Sequence, residues 1–135
     1  MKNNLFVFDT NILVSALFNN ESIPAKALFK ARRTGMLLIS EETSAEYIRV
    51  ISKEKFEKYV PLSYRISYIE NIISNALPVI IKQHIVACRD PKDDQFLSLA
   101  VSGNASCMVS GDIDLLVLHP FNGIPILKPI DFLDF

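Results

Sequence analysis

Residues 5–8, Leu5-Phe6-Val7-Phe8, are apolar at every position and end at an acid, Asp9. Successive side chains of a strand point to opposite faces, so a run with no polar position must be covered on both sides, as in the centre of a parallel sheet. That segment reads as a central strand of a parallel sheet, buried on both faces. It also puts Asp9 in a confined place, where a carboxylate requires several donors or a cation.

The rest of the chain repeats the strand-then-helix order. Residues 12–18 form an apolar helix closed by Asn19-Asn20, and a second helix starts near Ser22, tolerates Pro24 in its first turn and stops at Gly35. Residues 36–39 form the second strand. Ser40 caps a helix whose apolar stripe is Tyr47, Ile48 and Ile51, and whose first turn carries Glu41 and Glu42. A charged turn at 53–58 precedes an amphipathic helix at 62–76, whose isoleucines make a core stripe or a dimer face. Residues 79–81 read as strand three, Asp90-Pro91 opens a helix carrying 96–101, and residues 107–109 are strand four. A short helix at 115–118 and an edge strand at 124–127 followed by Pro129 complete the pattern. Strands separated by helices imply an α/β fold with right-handed crossovers and helices on both faces of a parallel sheet.

The 135 residues, half of them hydrophobic with a mean hydropathy of +0.25, suit one domain spanning 1–135 with ample core material. No run approaches the roughly 20 apolar residues of a membrane span, and Asp9 interrupts the first apolar stretch too early for a signal peptide, so a soluble, cytoplasmic chain is expected. Cys88 and Cys107 form no metal-ligand or redox motif and are expected as buried thiols. The net charge of −1 gives no global signature of a nucleic-acid binder, yet nine of the fourteen basic residues lie between Lys26 and Arg65 against five acids. That segment either faces a polyanion or forms solvated helix faces.

Four acids, Asp9, Glu46, Asp94 and Asp112, follow strands or open helices at the carboxyl end of the sheet, where ligands of such folds bind. An all-oxygen ligand set suits Mg²⁺ or Mn²⁺ rather than zinc. Asn11 is expected to orient Asp9 through its amide. In the third group, Asp90 and Asp93 fit a capping box, leaving Asp94 on the inward stripe with Leu97 and Val101, while Asp93 is a close second beside Leu97 and Ala100. Asp112 and Asp114 follow a strand and a glycine, where a plain Asx-turn is the bland alternative. His84 and His119 lie away from the acids.

Residues 6–13, Phe6-Val7-Phe8-Asp9-Thr10-Asn11-Ile12-Leu13, together with Ser40 and Glu46, the stretch from Asp90 to Ala100, and Val109-Ser110-Gly111-Asp112-Ile113-Asp114, resemble in order the four motif blocks of the PIN-domain family, and within it the toxins of bacterial toxin-antitoxin pairs. The family's D-x-x-L-x-x-A register selects Asp94, and Ser110 stands where a Thr or Ser is usual. The resemblance implies a three-layer α/β/α sandwich and a ribonuclease cutting single-stranded RNA with Mg²⁺ or Mn²⁺. It also implies a cognate antitoxin and a homodimer. Asp9, Asp94 and Asp112 would then hold the metal with Glu46, and Asn11, Asp93, Ser110 and Asp114 would support or replace them. A haloacid-dehalogenase-like phosphatase or a receiver domain is disfavoured because residue 11 is Asn where the former needs an acid, and neither's lysine is in place. A PIN-like protein that binds RNA without cutting it is the remaining alternative.

Overall fold

A computed structural model describes residues 4–135. In chain order the elements are β1 (Asn4–Phe8), α1 (Thr10–Phe18), α2 (Ile23–Thr34), β2 (Gly35–Ile39), α3 (Glu41–Ile51), a single 3₁₀ turn (Glu54–Phe56), α4 (Leu62–Ser74), β3 (Leu77–Pro78), α5 (Pro91–Ser102), β4 (Cys107–Val109), α6 (Ile113–Leu116), β5 (Ile126–Leu127) and α7 (Pro129–Phe132). The five strands pair only in parallel, in the order β3-β2-β1-β4-β5. The expected α/β/α sandwich around a central parallel sheet is thus observed.

β1 lies at the middle of this order, and its apolar run is the reason. Phe6 and Phe8 meet Phe132 of α7 edge to face at 5.1 and 5.8 Å between ring centroids, while α5 also packs on β1 and β2. The chain steps outward from β1 through β2 to β3, then returns to place β4 and β5 on the other side of β1. Two crossovers therefore diverge between the carboxyl ends of β1 and β4, opening the crevice where open α/β sheets bind ligands. Asp9 and Asp112 immediately follow those two regions.

Local chemistry fixes the helix starts. Ser22 Oγ accepts the Ala25 N–H (3.2 Å), and Ser40 and Thr43 exchange side-chain to backbone hydrogen bonds in a capping box. Gly35 is required by proximity: a Cβ there would stand 2.0 Å from the Asn4 carbonyl oxygen. The expected Ile stripe of α4 is core, with Ile69 and Ile72 fully buried.

Several boundaries differ from expectation. β3 occupies Leu77–Pro78 rather than 79–81, because beyond the Val79 N–H to Ile39 carbonyl bond (2.8 Å) the chain leaves the sheet and Ile80 is exposed. α6 begins at Ile113 rather than at 115 because Asp112 caps it directly, whereas α5 opens at Asp90-Pro91 as expected. Pro129 does not close an edge strand but starts α7, where its fixed φ suits a first helical position. Cys107 is buried, but Cys88 is only half-buried. Among the described residues no helix is long and apolar enough to cross a membrane.

Candidate active site

A cavity of about 280 Å³ opens at the carboxyl ends of β1 and β4. Asp9, Glu46, Asp90, Asp93 and Asp112 line it together with Arg49, Lys53, Lys55 and Lys92. Acids from four separate stretches of sequence meet there, ringed by cations from α3, the 3₁₀ turn and α5.

Asp9 is almost wholly buried and uses both oxygens. Oδ1 accepts the backbone N–H groups of Asn11 (3.0 Å) and Ile12 (3.4 Å), capping α1, while Oδ2 accepts the hydroxyl hydrogen of Ser110. Cap and cavity-lining acid are therefore one residue. The Asn11 contribution to Asp9 comes through its main-chain N–H, and Asn11 is itself one of the residues lining the cavity. Ser110, fully buried, also accepts the Asp112 N–H (3.0 Å), so one hydroxyl ties the two acid-bearing turns together. Tyr47 donates its hydroxyl to the Phe8 carbonyl at 2.5 Å, fixing the strand end just before Asp9. Burial pushes the Asp9 pKa up, the hydrogen bonds from Ser110, Ile12 and Asn11 oppose this, and the Asp112 charge adds to the rise.

The third acid station corrects the sequence reading. Asp94 does not face the cavity: its Oδ1 accepts the N–H groups of Ala87 (2.9 Å) and Cys88 (2.7 Å), pinning the loop before α5. Burial alone would raise the Asp94 pKa, but these backbone donors outweigh it and hold the carboxyl below its usual range. Asp93 takes the position beside Asp112. Carboxylate oxygens of Asp93, Asp112 and Asp114 lie within 4.8 Å of one another. Burial, then the Asp112 charge, pushes Asp93 up to about 7. Nor does Asp93 complete a capping box; Asp90 caps α5 alone through the Lys92 N–H (3.0 Å). Asp114 is not among the cavity-lining residues and pairs with the exposed Arg89 at 3.0 Å, and Glu46 lines the cavity while paired with Arg49.

Repulsion among Asp9, Asp93 and Asp112 is the electrostatic condition that a divalent cation relieves, and their all-oxygen donors fit a hard ion. The Thr10 hydroxyl supports that fit, because it is buried at the cavity wall with no hydrogen-bond partner among the described residues. The two histidines are elsewhere: His84 lies beside Glu41 and Glu42, and His119 Nδ1 accepts the Ile126 N–H.

Sequence reasoning missed the basic wall as a structural unit. Lys53, Lys55 and Phe56 read only as a charged turn, and Arg65 only as one of nine basic residues, yet Arg65 is 1% exposed. It donates to the carbonyls of Ile51 (2.6 Å), Lys53 (3.2 Å) and Val60 (2.8 Å) and pairs with Glu57, fastening the turn against α4. The signal was available: Arg65 precedes Ile69 by four and Ile72 by seven, on the inward stripe.

Comparison with known proteins agrees with this geometry. A family model described as PIN domain matches residues 6–114. The protein MJ1680 of Methanocaldococcus jannaschii, itself uncharacterised, is 32% identical over 126 residues, covering 86% of this chain and 76% of its own length. Among solved structures, PAE2754 from Pyrobaculum aerophilum superposes with a TM-score of 0.63 at 15% identity, covering 97% of this chain and 88% of that one. VapBC2 from Rickettsia felis, bound to a DNA fragment from its promoter, gives 0.62 at 16%, covering 90% and 96%. VapBC-1 from nontypeable Haemophilus influenzae gives 0.61 at 15%, covering 93% and 98%. A family match running from β1 through the Asp112 turn spans every acid of the cavity, and the chain belongs to the PIN-domain family.

Proposed function

We propose that this protein is a divalent-metal-dependent endoribonuclease acting on single-stranded RNA, the toxin of a toxin-antitoxin pair. One observation carries the reading: Asp9, Asp93 and Asp112 line a single cavity at the divergence of β1 and β4, inside a ring formed by Arg49, Lys53, Lys55 and Lys92. Acids alone would repel a phosphodiester, and cations alone would bind it without cutting. The two together suit a metal-assisted phosphoryl transfer. Family membership supports nuclease chemistry, and the likeness to VapBC structures supports an antitoxin partner.

Asp9, Asp93 and Asp112 would hold Mg²⁺ or Mn²⁺, with Glu46 at the outer edge exchanging its Arg49 partner for an ion or its water. When bound, such a cation supplies charge for the developing pentavalent phosphorus and makes water a better nucleophile. The chain contributes the rest. Ser110 and the α1 N-terminus keep Asp9 oriented, Asp94 fixes the start of α5 and hence the place of Asp93, and the lysines orient the flanking phosphates. No histidine lines the cavity, so the imidazole acid-base pair that commonly drives attack by the RNA 2′-hydroxyl is missing there. Products should carry 5′-phosphate and 3′-hydroxyl ends.

The test is cleavage of mixed-sequence single-stranded RNA by the antitoxin-free protein with Mg²⁺, Mn²⁺ or EDTA, beside Asp9→Asn. Metal-dependent cutting that Asp9→Asn abolishes is expected; equal rates in the mutant, or a 2′,3′-cyclic phosphate product, would overturn the reading. Co-purification with the product of an adjacent small gene tests the toxin role, and light scattering tests the homodimer that accompanies it.

A further inference from the structure

Next to the acidic cavity lies a second one, of about 470 Å³, lined by Phe18, Phe56, Tyr59 and Val60. Phe56 belongs to both walls. Its ring stands 5.0 Å from Phe18, and Phe18 meets Tyr59 nearly at right angles at 6.2 Å. These rings are open to solvent: Tyr59 is 67% exposed and Phe18 36%.

The rim is positive. Lys55 and Lys58 each carry the ammonium 5.1 Å from a neighbouring ring, of Phe56 and Tyr59 respectively, and Lys53 lines the acidic cavity. Of the two glutamates in the same turn, Glu57 is neutralised by Arg65. The turn is also preorganised, since the buried Arg65 guanidinium holds two of its backbone carbonyls, Lys53 and Val60, together with that of Ile51 at the end of α3. Aromatic rings bordered by ammonium groups that have no carboxylate partner among the described residues, and that can swing from ring to phosphate, are the arrangement that holds single-stranded nucleic acid, with bases stacked and phosphates paired. An apolar protein segment would use the aromatic floor but leave the lysines without counter-charges.

We infer that the cleft between the end of α1 and the 53–60 turn is a nucleobase subsite, where Phe56 and Tyr59, backed by Phe18, stack a base flanking the cleaved bond while Lys55 and Lys58 hold the adjoining phosphates. This inference rests on the single-stranded RNA reading given above. It adds a cause of specificity: the base next to the cut is selected by stacking strength, while the acids act only on the phosphate.

The test uses the full chain carrying Asp9→Asn, so that RNA binds without being cut, and a short fluorescent single-stranded RNA read by anisotropy. Tyr59→Ala should weaken binding about tenfold, within the usual range for one stacked base. Tyr59→Phe should bind normally, and Tyr59→Leu should bind as poorly as the alanine variant. An abasic residue scanned along the RNA should cost the same factor at one position and nothing further in Tyr59→Ala. Lys58→Ala should lower the salt slope of binding by about 0.7. Unchanged affinity in Tyr59→Ala overturns the subsite, as does full rescue by leucine, which would mark the contact as apolar rather than stacking. Cleavage by the unsubstituted chain is scored separately: RNA that binds and is cut regardless of Tyr59 sinks only this inference, whereas no RNA binding at all sinks the RNA reading with it.

Discussion

Arg65→Met isolates what the buried guanidinium does for the basic wall. The substitution keeps an unbranched apolar stem near Ile51 and Ile69 while deleting every donor. Four hydrogen bonds are lost, to Val60, Ile51, Lys53 and Glu57. They are not equal. The Glu57 side chain is 57% exposed, so that pair is screened and contributes under about 1 kcal/mol. The Ile51 carbonyl is buried and keeps no substitute donor, costing about 1–3 kcal/mol. The Lys53 and Val60 carbonyls are partly buried and can recruit water at a smaller cost. Against these losses stands the relief of desolvating a cation, which makes simple addition an overestimate. The net expectation is a loss of about 2–4 kcal/mol, a large share of the roughly 5–15 kcal/mol of an ordinary domain. With a urea dependence of about 1.5 kcal/mol/M the unfolding midpoint should fall by about 2 M. Amide exchange should accelerate first at residues 52–60, and RNA affinity should drop with it. A variant as stable as wild type, with unchanged exchange in that turn, would refute the reasoning, because it would mean the bonds merely repay the buried charge.

Without metal, Asp9 and Asp93 make the site a source of instability. Both have folded pKa values raised above the unfolded ones, so their cost is complete above the folded value and vanishes as pH falls toward about 4. Urea midpoints in EDTA should therefore rise as pH is lowered from 8 to about 5, and saturating Mg²⁺ should flatten that trend; a midpoint that falls over this range contradicts it. Asp9→Asn should leave metal-free stability equal or raise it by about 1 kcal/mol while abolishing Mg²⁺-dependent protection, since like-charge repulsion goes with the charge. Tyr47→Phe removes the donor to the Phe8 carbonyl inside the core and should cost about 1–2 kcal/mol in urea unfolding, with a smaller effect on cleavage than Asp9→Asn.

The architecture was legible because burial on both faces is written into β1 at every position, and because serine and proline mark the starts of α2, α3 and α5. The acids were assigned to one rim for the same reason: topology, not contact, puts the ends of β1 and β4 together. What escaped notice depended on contacts between distant segments. The length of β3 is set by where the chain leaves Ile39, and its residues are as apolar as those that follow. The 53–60 turn reads as solvated charge until Arg65, on the inward stripe of α4, is seen to hold it.

Asp93 and Asp94 show the limit most sharply. Neighbours on a helix differ by about 100° in direction, so both fall near the edge of the inward stripe and local pattern cannot separate them. The decision lies in the irregular segment before α5, whose Ala87 and Cys88 N–H groups converge on one carboxylate and capture Asp94. Asp93 is then left beside Asp112. The two roles predict opposite consequences for a chemically identical change. Asp94→Asn keeps an acceptor oxygen but loses the charge from two backbone hydrogen bonds, so stability should fall by about 1–2 kcal/mol. Because the Asp94 pKa is depressed by folding, its contribution is present above the unfolded value near 4, and the deficit of the variant should shrink as pH falls through the folded one. Divalent-metal affinity should change little. Asp93→Asn should do the reverse: metal-free stability is kept or raised, while metal binding, followed by calorimetry, and RNA cleavage are lost. Loss of metal binding in Asp94→Asn with Asp93→Asn unaffected would return Asp94 to the cavity and refute the assignment made from these contacts.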